Sequence, residues 1–355
     1  MKTSWQTIVQ PIIEDVLSPA QVPGIVIARV QGDGPVEHLV LGTDGLSRPL
    51  QVETLFPVAS ITKMATALAI LRLAACGALS LDDPLERHLP EAGAADGGIR
   101  LRMLLSHTGG LPLDLAPELA PYTSELDWPM LARACLRTQP DHPPRTRVNY
   151  SNVGFGLLAI VVERLTNRPF STALADLVLV PLGIEGYLGR EPERAPAWIV
   201  GEIGEHVGTL LEPYNSAFWR RLALPWGGLV TTADGALGLV RAFDDIPADF
   251  LPDDLRAEAT LDQTGGLSGG MAGGLEWPQC PSGLGVELHG HKVPHYIPAT
   301  AAALSFGHAG TSGCVAWYDP TTTIAWAILG CRTFESWMQS MRLSMRLFLL
   351  PQADQ

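Results

Sequence analysis

Strand-like runs occur near the two ends of this chain, and a long stretch of prolines and short helical pieces separates them. GIVIARV (Gly24 to Val30) and VEHLVLG (Val36 to Gly42) are joined by QGDG, whose Asp-Gly pair supplies the positive φ of a tight hairpin. SGLGVELHG (Ser282 to Gly290), GCVAWYD (Gly313 to Asp319) and TTIAWAILG (Thr322 to Gly330) follow late in the chain, the last two joined by an Asp-Pro turn. Strands at both ends with helices between predict an α/β (α+β) fold whose sheet domain is assembled from both termini, with a mainly helical domain inserted. The expected division is 1–80 with 215–355 for the sheet domain and 81–214 for the helical one, with a cleft between them.

Apolar spacing predicts an amphipathic helix around Trp5 to Leu17 and a second over ITKMATALAILRLAACGAL, with Gly77 as its stop. Further helices are expected over Gly227 to Phe243 and over Glu335 to Leu349. GGLSGGMAGG, from Gly265 to Gly274, reads as an irregular loop. No internal repeat is visible.

Composition excludes several classes of function. The 355 residues are 46% hydrophobic and 17% charged, which suits sizeable packed cores and argues against a disordered or coiled-coil chain. A net charge of -13 with no dense run of Lys and Arg leaves little to neutralise phosphates, so nucleic acid and anionic membrane are not expected partners. Gln6, Gln10, Pro11, Glu14 and Asp15 interrupt any secretory apolar run, and a cytoplasmic location is the expectation. Five scattered cysteines without a CxxC read as free thiols.

Chemistry concentrates in three segments. In FPVASITKM, Ser60 leads into a helix, where a serine ordinarily caps backbone N–H groups. Lys63, however, falls one turn later on the same face, within reach of the serine oxygen. A cation in the first turn opposes the helix dipole. Partial desolvation there lowers its pKa, and bringing an amine from ~10.4 to about 7 takes roughly 4 to 5 kcal/mol. A neutral amine beside a serine is a general base.

The second segment, NYSNVGFGLLAIVVERL, puts Tyr150 and Asn152 just before an apolar helix. One reading has Tyr150 packing its ring and Asn152 capping the helix. The other makes the Tyr150 phenol a proton relay for Ser60, its pKa lowered by Lys63, with Asn152 donating to a substrate carbonyl and to Lys63. The third, SFGHAGTSG, places His308 among small residues before a strand, either as a core histidine or at a cleft wall. On the second reading Gly310 leaves room for substrate. The backbone N–H of Thr311 then joins that of Ser60 as an oxyanion hole, about 3 kcal/mol for a single donor.

Ser-x-x-Lys, Tyr-x-Asn and His-x-Gly in this order, together with LLSHTGGL and WGGLVTTADGAL, resemble the serine β-lactamase and penicillin-binding-protein superfamily. The likeness is to its class C-like branch, which includes family VIII carboxylesterases and D-aminopeptidases. The resemblance implies an antiparallel sheet flanked by helices, an acyl-enzyme on Ser60, proton traffic shared by Lys63 and Tyr150, and neither metal nor organic cofactor. His308 stands where the lactamases carry the lysine of Lys-Thr-Gly. A largely neutral imidazole suits a substrate carboxylate less well than a fixed cation does. The expected activity is therefore a carboxylesterase acting on a small-molecule ester with a short acyl chain. A β-lactamase, D-alanyl-D-alanine carboxypeptidase or D-aminopeptidase is the alternative, and a non-catalytic binding protein of the same fold is the second.

Four other features compete. Ser268 lies in a G-x-S-x-G, but without the strand and helix of a nucleophile elbow. His289, His291 and His295 have spacings a metal could use, without a thiol or carboxylate in the run. His107 reads as structural, near the cleft. Tyr122, Trp128, Trp219 and Trp226 are candidates either for an apolar pocket or for core packing.

Overall fold

The computed structural model describes residues 4–350 apart from 202–203, 245–246, 248, 271–273 and 335. Its main sheet has six antiparallel strands drawn from both ends of the chain. They are β1 (Gly24–Gln31), β2 (Glu37–Gly42), β3 (Glu287–Leu288), β4 (Phe306–Gly310), β5 (Cys314–Asp319) and β6 (Ile324–Gly330). Their order is β2-β1-β6-β5-β4-β3, so the first strand lies against the last, with Ile25 opposite Gly330 and Gln31 opposite Ile324.

Alternation along these strands feeds two cores. Ile25, Ile27, Val315, Trp317, Trp326 and Ile328 face α1 (Ser4–Leu17) and the carboxy-terminal helix, which place Val9, Ile13, Trp337 and Met341 against them. Val26, Ala28, Val30, Ala316, Ala327 and Leu329 face the larger core, which contains α2 (Thr62–Ala75) and α3 (Asn152–Thr166). A sheet covered on both faces needs strands that are apolar throughout, as GIVIARV and TTIAWAILG are. The exception, Arg29, is fully buried, pairs with Glu37 at 2.8 Å and lies over the Trp5 ring.

Most expected elements are present, and three differ. Of Ser282 to Gly290 only Glu287–Leu288 is a strand: Gly285 at φ +90 and a bond from Gly283 N–H to the Val286 carbonyl turn the chain before it. Of Gly227 to Phe243 the start is a short strand, Val230–Thr231, and the helix α4 (Ala233–Arg241) begins after Thr232, whose hydroxyl caps Gly235 N–H. In the glycine-rich stretch, Gly269–Gly270 pairs with Val148–Asn149 and Glu276–Trp277 rather than forming a loop. A Cβ at Gly269 would lie 2.0 Å from the Val148 oxygen, so only glycine permits that pairing. Residues 271–273 of that stretch lie outside the described residues, as does Glu335, the expected start of the last helix; α5 spans Ser336–Met345. Gly77 ends the α2 segment at φ +74, with its N–H on the Ala74 carbonyl.

Between β2 and α4 the chain is chiefly short helices, among them Leu101–Leu105 and Trp128–Arg137, around the long apolar α3. No helix among the described residues is long and apolar enough to cross a membrane.

Candidate active site

Phe56–Pro57 pairs with Val230–Thr231 and delivers the chain into a 3-10 turn, Ala59–Ile61, that runs on into α2. Ala59 in this turn holds φ +45, an uncommon conformation for a side-chain-bearing residue. The turn leaves Ser60 without a capping hydrogen bond. Its Oγ lies instead 3.3 Å from Lys63 Nζ.

Lys63 is fully buried, and its Nζ also donates to Asn152 Oδ1 at 2.6 Å and to the Trp226 carbonyl at 3.0 Å. Burial drives its pKa well below the ordinary lysine value, with a smaller opposing pull from Asp114. A neutral amine has two N–H donors and one lone pair. The two acceptor-only carbonyl oxygens, from Asn152 and Trp226, claim the donors, which leaves the lone pair for the Ser60 hydroxyl.

Tyr150 and Asn152 arrive from the start of α3. The cap of that helix is Ser151, whose Oγ accepts from Gly154 N–H at 3.1 Å, so neither neighbour is committed to capping. Asn152 accepts from Lys63 rather than donating to it, and its Nδ2 donates to Asp114 Oδ1 at 2.5 Å. The Tyr150 ring stacks on His107 at 4.5 Å, and Lys63 Nζ stands 4.6 Å from its centroid. Its hydroxyl is buried without a hydrogen-bond partner among the described residues.

The expectation that Lys63 depresses the Tyr150 pKa is reversed. Burial raises it, outweighing the lowering by the nearby Ser60 hydroxyl, because a neutral amine supplies no charge to stabilise a phenolate. His107 is structural as expected, with Nδ1 accepting from Ser151 N–H at 3.1 Å.

His308 lies on β4, buried, with its ring 6.0 Å from that of Tyr150. Burial lowers its pKa to about 4, so the ring is neutral. Nδ1 is 2.7 Å from the Ala309 carbonyl, which makes Nδ1 the protonated nitrogen and leaves Nε2 an acceptor without a partner among the described residues. The bareness of Gly310 serves a close backbone approach: a Cβ would lie 2.2 Å from the Val58 oxygen. That contact brings the end of β4, and Thr311 after it, against the Ser60 turn.

Three contributors escaped the sequence reading. Asp114 is exposed and fixes Asn152, the Trp226 backbone holds Lys63, and Tyr214 Oη lies 2.7 Å from Thr311 Oγ1. Asp114 carries no periodic or motif signal. It is set in place by the Asn152 N–H bond to the Leu113 carbonyl at 2.7 Å.

Ser268 leads into the Gly269–Gly270 strand and lines a surface pocket with His142 and Glu276. His291 is exposed, whereas His295 bonds to Glu287, a carboxylate that the histidine run itself does not include. Among the described residues no group of three or more His, Cys, Asp or Glu side chains is placed to hold a metal. Trp219 is core, packed with Leu126, Leu131 and Phe218. Tyr122, Trp128 and Trp226 border that cluster, half-buried.

A half-buried serine in a 3-10 turn and a buried lysine on the helix that follows, faced by a tyrosine from a second helix and a strand end from a sheet, form a candidate active-serine site in a mixed α/β fold. Residues 9–338 match the Beta-lactamase family model, and the chain belongs to that family. It is 32% identical over 256 residues to esterase EstB of Burkholderia gladioli, covering 61% of this chain and 64% of EstB. The chain spans less than two thirds of the length of that relative. Among solved structures, EstCE1, described as a hydrolase with promiscuous acyltransferase activity, superposes with a TM-score of 0.75 at 21% identity, covering 96% of this chain and 98% of that one. D-amino acid amidase from Ochrobactrum anthropi also reaches 0.75, at 20% identity and 98% coverage of each chain. Both of these likenesses establish the fold.

Proposed function

We propose that the chain is a serine hydrolase acting through an acyl-enzyme, with small neutral esters as substrates: a carboxylesterase of the β-lactamase family. The observation that carries this reading is Lys63, a buried amine of depressed pKa with its lone pair left to Ser60. The division into 1–80 with 215–355 and 81–214, with the site in the cleft between, belongs to the same proposal.

In the first step Ser60 Oγ attacks the ester carbonyl carbon and its proton passes to Lys63. The backbone N–H groups of Ser60 and Thr311 hold the oxyanion, which is where the largest share of the acceleration arises in such sites. Burial penalises the resulting ammonium, so Lys63 hands its proton on. Tyr150, whose raised pKa resists ionisation, protonates the departing alkoxide only as it takes up the proton from Lys63. Water then attacks the acyl-Ser60 ester by the same route in reverse and frees the acid. Asn152 keeps one Nδ2 hydrogen for the acyl carbonyl while Asp114 holds the other. The preference for neutral esters rests on His308, a neutral ring at a position where a carboxylate-bearing substrate would require a cation.

Turnover of p-nitrophenyl butyrate, with little or none of a chromogenic cephalosporin or a D-alanine p-nitroanilide, is the expected result. A reversed ranking would move the reading to lactam or peptide chemistry, and no turnover of any of them to a binding role. Mass spectrometry after fluorophosphonate treatment should find the adduct on Ser60, and Ser60→Ala should abolish hydrolysis. An adduct on Ser268 overturns the assignment.

A further inference from the structure

Away from the reacting groups, the loop following β3 and helix α5 enclose a second cavity of about 330 Å³. None of Ser60, Lys63, Tyr150, Asn152 or His308 lines it. Arg342, and Arg346 one turn further on, both line it, and among the described residues neither guanidinium has an ion-pair or hydrogen-bond partner. Elsewhere in this acidic chain arginines such as Arg102, Arg147 and Arg164 stand against carboxylates. Among the described residues, the carboxylate paired with the cavity-lining Lys292 and His295 is Glu287, already matched by Lys292 at 2.8 Å, His295 at 3.0 Å and Tyr296 at 2.6 Å.

His289 is the second, independent sign of a ligand. It lines the same cavity, is 5% exposed, and neither ring nitrogen has a partner among the described residues. Buried polar atoms are ordinarily satisfied, and an orphaned imidazole at a cavity wall calls for an occupant. The remaining wall is apolar, with Val293, Ile297 and Pro298.

We propose that this cavity binds a small amphiphilic anion, with its carboxylate or phosphate head on Arg342 and Arg346 and its hydrocarbon on Val293, Ile297 and Pro298. Paired guanidinium forks match either head group. The volume is at the small end of ligand pockets, which suits a single small molecule. A bare inorganic anion would leave the apolar wall unused, and an uncharged lipid would leave the arginines unused. The site is independent of the chemistry assigned to Ser60.

Isothermal titration of the full chain with octanoate, octyl phosphate, inorganic phosphate and 1-octanol tests this, beside co-sedimentation with phosphatidylglycerol vesicles. One octanoate or octyl phosphate per chain is expected, unchanged in Ser60→Ala. Inorganic phosphate and octanol should bind at least about tenfold more weakly, the loss expected when one part of the recognition is missing. The double variant Arg342→Gln with Arg346→Gln should weaken octanoate by at least about tenfold while keeping the parent circular dichroism. If that variant is unstable, Arg346→Gln alone, at an exposed position, should weaken it by about threefold. Full-strength binding by the arginine variants, phosphate binding as tight as octyl phosphate, no saturable binding, or binding to vesicles only would each overturn the proposal.

Discussion

Adding one methyl group at Gly310 should disable the site without touching any reacting atom. A Cβ there would lie 2.2 Å from the Val58 oxygen and 3.1 Å from the Val58 carbonyl carbon. Carbon and oxygen rest at roughly 3.3 Å in close backbone contacts, so strand and turn must separate by about 1 Å. The obstacle is main chain, and no rotamer change relieves it. A misplacement of about 1 Å near reacting groups costs about 10²-fold, and overpacking of this kind costs about 1–3 kcal/mol of stability. Gly310→Ala should therefore lower kcat/KM for p-nitrophenyl butyrate by about 100-fold and reduce Tm by several degrees. It should also slow fluorophosphonate labelling of Ser60 in parallel, because labelling needs the same aligned turn and N–H pair. If labelling and turnover stay within about threefold of the parent, the close-approach reasoning is refuted. If only long-chain esters suffer and Tm is unchanged, Gly310 makes room for substrate instead.

Two further substitutions separate stability from chemistry. Tyr150→Phe removes a buried hydroxyl that has no well-formed hydrogen bond among the described residues and only the Ser60 hydroxyl nearby. Thermal melts should show unchanged or slightly raised stability while turnover falls by about 10²–10⁴-fold, and near-normal turnover would sink the relay. Asp114→Asn removes the charge that raises the Lys63 pKa. The acid limb of the kcat/KM profile should then move to lower pH, whereas a shift to higher pH would contradict Lys63 as the base.

Much of the site was legible because its parts are local. Ser60 and Lys63 meet through three-residue helical spacing, and Tyr150 and Asn152 stand at a helix start that a patterned apolar run announces. The same holds for β1, β2, β5 and β6, whose apolar runs and turns are written in short stretches. What failed depends on distant partners. The Tyr150 pKa takes its sign from burial, which no seven-residue window contains. Asp114 reaches Asn152 through a fold of the chain, and Gly269 becomes a strand only because Val148 approaches it. The Ser282 to Gly290 stretch looked continuous because strand propensity outweighed the single Gly285 that turns it.

The pairing of β1 with β6 has a consequence in time. Ile25 waits for Gly330, about 300 residues later in synthesis, and closing so long a loop is entropically late and slow. Ser60 is likewise made long before Gly310 and Thr311 can press against its turn. A ribosome carrying most of this chain therefore holds Ser60, the proposed nucleophile, without the proposed oxyanion hole assembled beside it. On the proposed function, hydrolysis would begin only when the last strands slot in beside the first, and an incomplete chain would be chemically silent.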